Sequence, residues 1–155
     1  MERTLVLIKP DAVQRGYIGE IITRFEKKGL KFVGTKMMNL SDEILDEHYA
    51  HLAKFDFFPS LKSFMKSNPV IAICLEGLDA ISVVRKICGA TNSRDADTGT
   101  IRGDLGMSVS ANLVHASDSP ENAAIEVKRF FNEDELFSYD RALCGFLYSP
   151  DEKDK

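Results

Sequence analysis

Asn112-Leu113-Val114-His115-Ala116-Ser117-Asp118-Ser119 carries a short apolar run into an imidazole and then into a hydroxyl-rich, helix-starting turn. Leu113 to His115 reads as the last strand of a sheet. Ser119-Pro120 reads as a helix start, with the hydroxyl as cap and proline in the first turn. Ala123, Ala124, Val127, Phe130 and Phe131 supply the apolar face of the helix that follows. A histidine at the end of a buried strand is held rigidly and can present one nitrogen while a hydrogen bond fixes the other, which suits a nucleophile. A packing histidine is the plainer reading of the same place, so the rest of the chain must decide between them.

Working outward, Thr4 to Lys9 is apolar on both faces and reads as a central strand, stopped at Lys9-Pro10-Asp11 and followed by a polar turn to Gly16. Ile18, Ile21, Ile22 and Phe25 follow helical spacing, and Gly29 suits the position after the helix. A second strand spans Leu30 to Met38. Ser41 caps a helix through Ile44, Leu45, Tyr49 and Leu52, and Pro59 opens another with Leu61, Phe64 and Met65. Val70 to Leu75 is a strand, and a helix from Asp79 to Cys88 ends at Gly89. Ala90 to Ala111 has little periodicity and reads as a long functional loop. This order predicts an α+β, ferredoxin-like sandwich in which helices cover a four-stranded, largely antiparallel sheet. One domain is expected over residues 1–148, with 149–155 a charged, flexible tail.

The chain of 155 residues has a net charge of -4, which argues against general affinity for nucleic acid or anionic membrane. No apolar stretch is long enough to span a bilayer. Cys74, Cys88 and Cys144 form no Cys-x-x-Cys pair and read as small buried residues in a reducing, cytoplasmic compartment. Within this acidic chain, Arg85, Lys86, Arg94 and Arg102 share a short segment with Thr91, Asn92, Thr98 and Thr100. Such a segment is either a solvated loop or a small polyanion pocket. No glycine-rich phosphate loop of known type is present, so side chains would hold any phosphate.

Lys9-Pro10-Asp11, Gln14-Arg15-Gly16, Gly99-Thr100-Ile101-Arg102-Gly103-Asp104 and Asn112 to Ser119 stand in the order of one family. The chain closely resembles nucleoside diphosphate kinase along nearly its whole length. The resemblance implies transfer of a γ-phosphate from a nucleoside triphosphate to a nucleoside diphosphate, ribo or deoxyribo, through a phosphohistidine. Low base specificity and a homo-oligomer, a hexamer ahead of a tetramer, come with it. His115 becomes the carrier in a ping-pong cycle. Arg85, Thr91 and Arg102 would contact phosphates, and Lys9 and Asn112 the ribose, with Lys9 also near the transferred group. Phe57 would stack on the base with Val109 opposite, and Tyr49, Ser117 and Glu126 would support the imidazole. Glu126 has no place on the apolar face of its helix in this reading. His48 and His51 read as surface or packing residues. Mg²⁺ would bridge the nucleotide's phosphates without a protein cage.

Two departures stand out. Phe55-Asp56 replaces a basic residue and proline before the stacking aromatic, so Phe55 or Phe58 competes with Phe57 for the base. Thr98 stands where many relatives have proline. The alternative function is a non-catalytic nucleotide-binding or oligomeric interaction module on the same fold; such a module would be expected to lose the nucleophile or its cations.

Overall fold

In the computed structural model, which describes residues 1–142 and 144–152 and leaves aside the side chain of Cys144, four strands form one sheet in the order β2-β3-β1-β4. These are β1 (Glu2–Ile8), β2 (Lys31–Met38), β3 (Val70–Gly77) and β4 (Val114–Ala116), and every pairing is antiparallel. β1 and β3 are central, as the apolar content of both their faces requires. Leu5 and Leu7 point to one face, Val6 and Ile8 to the other, and all four are fully buried.

Each face carries its own core. On one, Val6, Ile8, Ile73 and Leu75 meet Ile21 and Phe25 of α2 (Ile18–Lys28) and Ala80 and Val84 of α5 (Ala80–Cys88). On the other, Leu5, Leu7 and Ala72 meet Leu45 of α3 (Asp42–His48), Met65 of α4 (Phe58–Met65), and Val127 and Phe130 of α7 (Pro120–Phe130). This two-sided covering is the expected ferredoxin-like sandwich.

Local signals hold where they are strong. Ser41 accepts from the Ile44 amide and Ser119 from the Asn122 amide, capping α3 and α7. Gly29 ends α2 at φ 98°, a conformation that favours a residue without Cβ.

The structure also corrects details. Pro10 does not simply stop the chain after β1: it opens α1 (Pro10–Gln14), because proline at a first helical position sacrifices no needed donor. The segment 90–111 contains a 3₁₀ turn, Ser93–Asp95, and α6 (Ile101–Leu105), capped by the Thr100 hydroxyl on the Gly103 amide. It is latched to α2 by Arg24, which donates to Asp104 at 2.7 Å. Ala124 is exposed and does not share the buried face of α7. Cys74 and Cys88 are buried, and burial pushes their thiols up to about 12 and about 11. The side chain of Cys144 and residues 153–155 lie outside the described residues. Among the described residues, no helix is long and apolar enough to cross a membrane.

Candidate active site

A cleft of about 1120 Å³ opens where the loop 90–111, the end of β1, α3, α4 and α7 meet. Lys9, Tyr49, Phe57, Arg85, Thr91 and Arg102 line it, and so do Val109, Asn112, His115 and Glu126. Residues dispersed over more than a hundred positions thus share one wall system. Ser117 alone of the expected set lies behind that wall, buried.

The backbone that delivers His115 is strained and tightly held. Leu113 has φ 74°, unusual for a residue with a branched side chain. Its amide donates to Asp11 Oδ2 at 3.1 Å and its carbonyl accepts from the Lys9 amide at 2.8 Å. With its side chain fully buried as well, the surroundings over-determine a conformation that costs on the order of 1–3 kcal/mol. The turn sets Asn112 on one side and β4 on the other.

Asn112 is a junction. Its Oδ1 accepts from Lys9 Nζ at 2.7 Å, and its Nδ2 donates to the carbonyls of Thr91 at 2.9 Å and Val109 at 2.8 Å. One amide therefore ties the end of β1 to two distant points of the long loop. Lys9 is 8% exposed, and burial together with the Arg102 charge lowers its ammonium to about 8.

Arg102 is held differently from what a free phosphate clamp would need. Its guanidinium donates to the carbonyls of Gly89 at 2.8 Å, Asn112 at 3.1 Å and Val114 at 2.6 Å. These bonds brace the loop against β4 while the residue still lines the cleft. Gly89, with φ 80°, leaves no space for a side chain there: a Cβ would stand 2.8 Å from Thr100 Cβ. Arg85 and Thr91 are exposed on the cleft wall.

His115 occupies the middle of β4, opposite Leu7. Its Nε2 stands 3.1 Å from both carboxylate oxygens of Glu126, and Ser117 Oγ donates to Glu126 Oε2 at 2.5 Å. Ser117 is itself fixed by accepting the Leu5 amide at 3.2 Å. Burial alone would raise the Glu126 carboxyl, but the bonds from His115 and Ser117 outweigh it and hold it down at about 2. An ionised acceptor facing Nε2 fixes that nitrogen as the one bearing the proton, so Nδ1 keeps the lone pair.

Glu126 is 9% exposed, not a solvated helix glutamate. Ala123, Glu126, Val127 and Phe130 stand at i, i+3, i+4 and i+7, so the carboxylate does lie on the buried face of α7.

His48 takes the packing role rather than the surface one, and its place against the nucleophile is what the sequence did not indicate. Its side chain is 1% exposed, with its ring edge-to-face against His115 at 4.5 Å and Tyr49 at 4.6 Å. Leu45, His48, Tyr49 and Leu52 share one helical spacing, a signal that could have placed it inward. Burial, reinforced by His115, lowers its imidazole to about 3, so it stays neutral. Tyr49 is buried too, its hydroxyl without a partner among the described residues, and burial pushes that hydroxyl well up. His51 is exposed on the rim, in keeping with a surface role.

At the cleft mouth, Phe57 is 52% exposed and stacks on Phe55 with ring centroids 5.4 Å apart and planes 10° from parallel. Of the three candidate phenylalanines, Phe57 lines the cleft and Phe55 and Phe58 do not.

A family model described as nucleoside diphosphate kinase matches residues 2–136. A nucleoside diphosphate kinase of Parabacteroides distasonis is 60% identical over 152 residues, covering 98% of this chain and 99% of that relative. One of Pyrococcus abyssi is 54% identical over 94% of this chain and 93% of its own length. Among solved structures, a halophilic nucleoside diphosphate kinase from Halobacterium salinarum in complex with CDP superposes with a TM-score of 0.93. It is 47% identical and covers 96% of this chain and 99% of that one.

Proposed function

The chain belongs to the nucleoside diphosphate kinase family, and on that premise we propose that Nδ1 of His115 carries the γ-phosphoryl group between nucleotides. The observation that carries the reading is the pairing of His115 Nε2 with the buried Glu126 carboxylate, which leaves Nδ1 as the lone-pair nitrogen. In the first half-reaction that lone pair forms the N–P bond. The bond from the γ-phosphorus to the β,γ-bridging oxygen breaks, and the nucleoside diphosphate leaves with the electron pair. In the second, a terminal β-phosphate oxygen of another diphosphate takes the phosphoryl group, and the lone pair returns to Nδ1.

Glu126 stabilises positive charge that develops on the ring as the N–P bond forms, acting as the orienting member of a triad does. Ser117 holds Glu126, and Tyr49 borders the ring. Lys9, Arg85, Arg102 and the Thr91 hydroxyl answer the charge of the phosphates, where phosphoryl transfer needs positioning and neutralisation above all. Lys9 and Asn112 take the ribose hydroxyls. The open face of Phe57 and the exposed Val109 receive the base. Stacking rejects no base strongly, which suits purine and pyrimidine substrates alike; acceptance of ribo and deoxyribo forms is part of the same reading.

Among the described residues, the one group of three potential metal ligands whose donor atoms lie within 4.8 Å of one another is His48, His115 and Glu126, a nitrogen-rich set ill suited to Mg²⁺. Mg²⁺ therefore belongs to this reading as part of the substrate, bound on its phosphates. There it supplies charge neutralisation and orientation.

The same reading includes a homo-oligomer, with a hexamer expected ahead of a tetramer. A cytoplasmic setting accords with the free thiols of Cys74 and Cys88. Steady-state rates with varied triphosphate at several fixed diphosphate concentrations test the cycle. Parallel double-reciprocal lines are expected, for purine and pyrimidine diphosphates alike; intersecting lines would contradict a covalent intermediate.

A further inference from the structure

Three ligating side chains converge around the ring nitrogen that does not react. His48 Nδ1 stands 3.7 Å from Glu126 Oε1 and His115 Nε2 stands 3.1 Å from the same oxygen. One donor atom from each residue lies within 4.8 Å of the other two. A tetrahedral zinc ion with arms of ~2.0–2.2 Å to nitrogen and oxygen holds its donors ~3.4 Å apart. The two separations to Glu126 stand near that spacing, and the two imidazoles, whose donors lie within 4.8 Å, must close on a bound ion.

Their chemistry agrees with their geometry. Two imidazoles and one carboxylate suit Zn²⁺ or Co²⁺. His48 is buried with its Nδ1 on the Glu126 carboxylate, and imidazole nitrogen and carboxylate oxygen are both donors that zinc takes. His115 and Glu126 also line the cleft, which leaves a fourth position for water. The opposing charge is the Arg129 guanidinium, 3.5 Å from His48 Nδ1; it is also paired with Glu47 at 3.3 Å, and an incoming ion must displace it from the histidine.

We propose that His48, His115 and Glu126 form a site for a divalent transition-metal ion such as Zn²⁺, and that filling it switches His115 off. The switching half rests on His115 being the phosphate carrier. A neutral imidazole has one N–H and one lone-pair nitrogen. A metal on Nε2 claims the lone pair there and moves the ring proton to Nδ1, which then has no pair for phosphorus. A phosphoryl group on Nδ1 keeps the proton on Nε2, where Glu126 accepts it, and the metal has no donor. Bound metal and phosphoenzyme therefore exclude each other.

Titrating the nucleotide-free protein with Co²⁺, and displacing it with Zn²⁺, tests the site through visible absorption bands of four-coordinate Co²⁺. The bands are expected in the unmodified protein and are lost when His115 has first been phosphorylated. His48→Gln and Glu126→Gln should each weaken binding by at least about tenfold, with near-ultraviolet circular dichroism reporting that each variant is folded. Binding of unchanged affinity in folded His48→Gln protein overturns the site. Bands that persist on the phosphorylated protein overturn the exclusion. Failure of His115 to phosphorylate at all is seen before metal is added and counts against the carrier reading, while the binding data on the two variants still decide the site.

Discussion

Both carboxylate oxygens of Glu126 stand 3.1 Å from Nε2 of His115, and this pairing fixes which ring nitrogen is free to react. Glu126→Ala should let the imidazole change tautomer and rotate, lowering kcat by about 100-fold, as small misplacements of a reacting group do. Glu126→Gln keeps an acceptor oxygen and should lie between that variant and the unaltered enzyme. Single-turnover phosphorylation of the protein measures both.

The same carboxylate gives a stability signature. Its folded value near 2 lies below the ordinary 4.5, so the folded protein binds fewer protons there than the unfolded chain. Its contribution is present above pH 4.5 and is lost as pH falls toward 2. Urea midpoints compared at pH 5 and pH 3 should therefore drop less in Glu126→Gln than in the unaltered protein.

Lys9 separates activity from stability at alkaline pH. Its ammonium is lowered from 10.5 to about 8 by burial and by Arg102, so the free enzyme loses this cation as pH rises through 8. The rate constant kcat/KM should fall up to about tenfold per pH unit above that point. Stability should not fall with it: between pH 8 and 10.5 the unfolded chain holds the proton and the folded one does not, so this group's contribution rises with pH. A pH profile of kcat/KM beside one of thermal unfolding separates the two effects.

Asp11 reaches the same lysine. Its charge raises the Lys9 value, and its Oδ2 accepts the amide of the strained Leu113. Asp11→Ala should move the alkaline limb of kcat/KM to lower pH and cost about 1–3 kcal/mol of stability for the buried amide left unpaired. Asp11→Asn keeps an acceptor and should recover most of the stability but not the position of the limb.

At the cleft mouth, Phe57→Ala should weaken nucleotide binding by about 1–3 kcal/mol, the worth of one base stack, and appear mainly in KM. Phe55→Ala removes only the ring behind Phe57 and should cost about 0.5–1.5 kcal/mol. Equal effects would mean that Phe55 also meets the base.

How far the sequence is legible follows from what each signal depends on. β1 is apolar on both faces, and that alone places it inside the sheet; the caps at Ser41 and Ser119 and the turn at Gly29 depend on neighbouring residues only. α6 is five residues long, too short to show a period, and is organised by Thr100 and by contacts from Arg24. The cleft residues could be named from their family motifs, but not their bonding. That Arg102 spends three donors on backbone carbonyls depends on β4 and Gly89 arriving beside it. His48 and Glu126 are polar side chains on apolar stripes, and each is stable there because the other, with His115, occupies the same small space.

Incubation with γ-labelled ATP and Mg²⁺, followed by mapping of the labelled peptide, tests the central claim most directly. Acid-labile, alkali-stable label is expected on His115 and should be removed by adding a nucleoside diphosphate. Label of the same stability and amount on His115→Ala protein would contradict it.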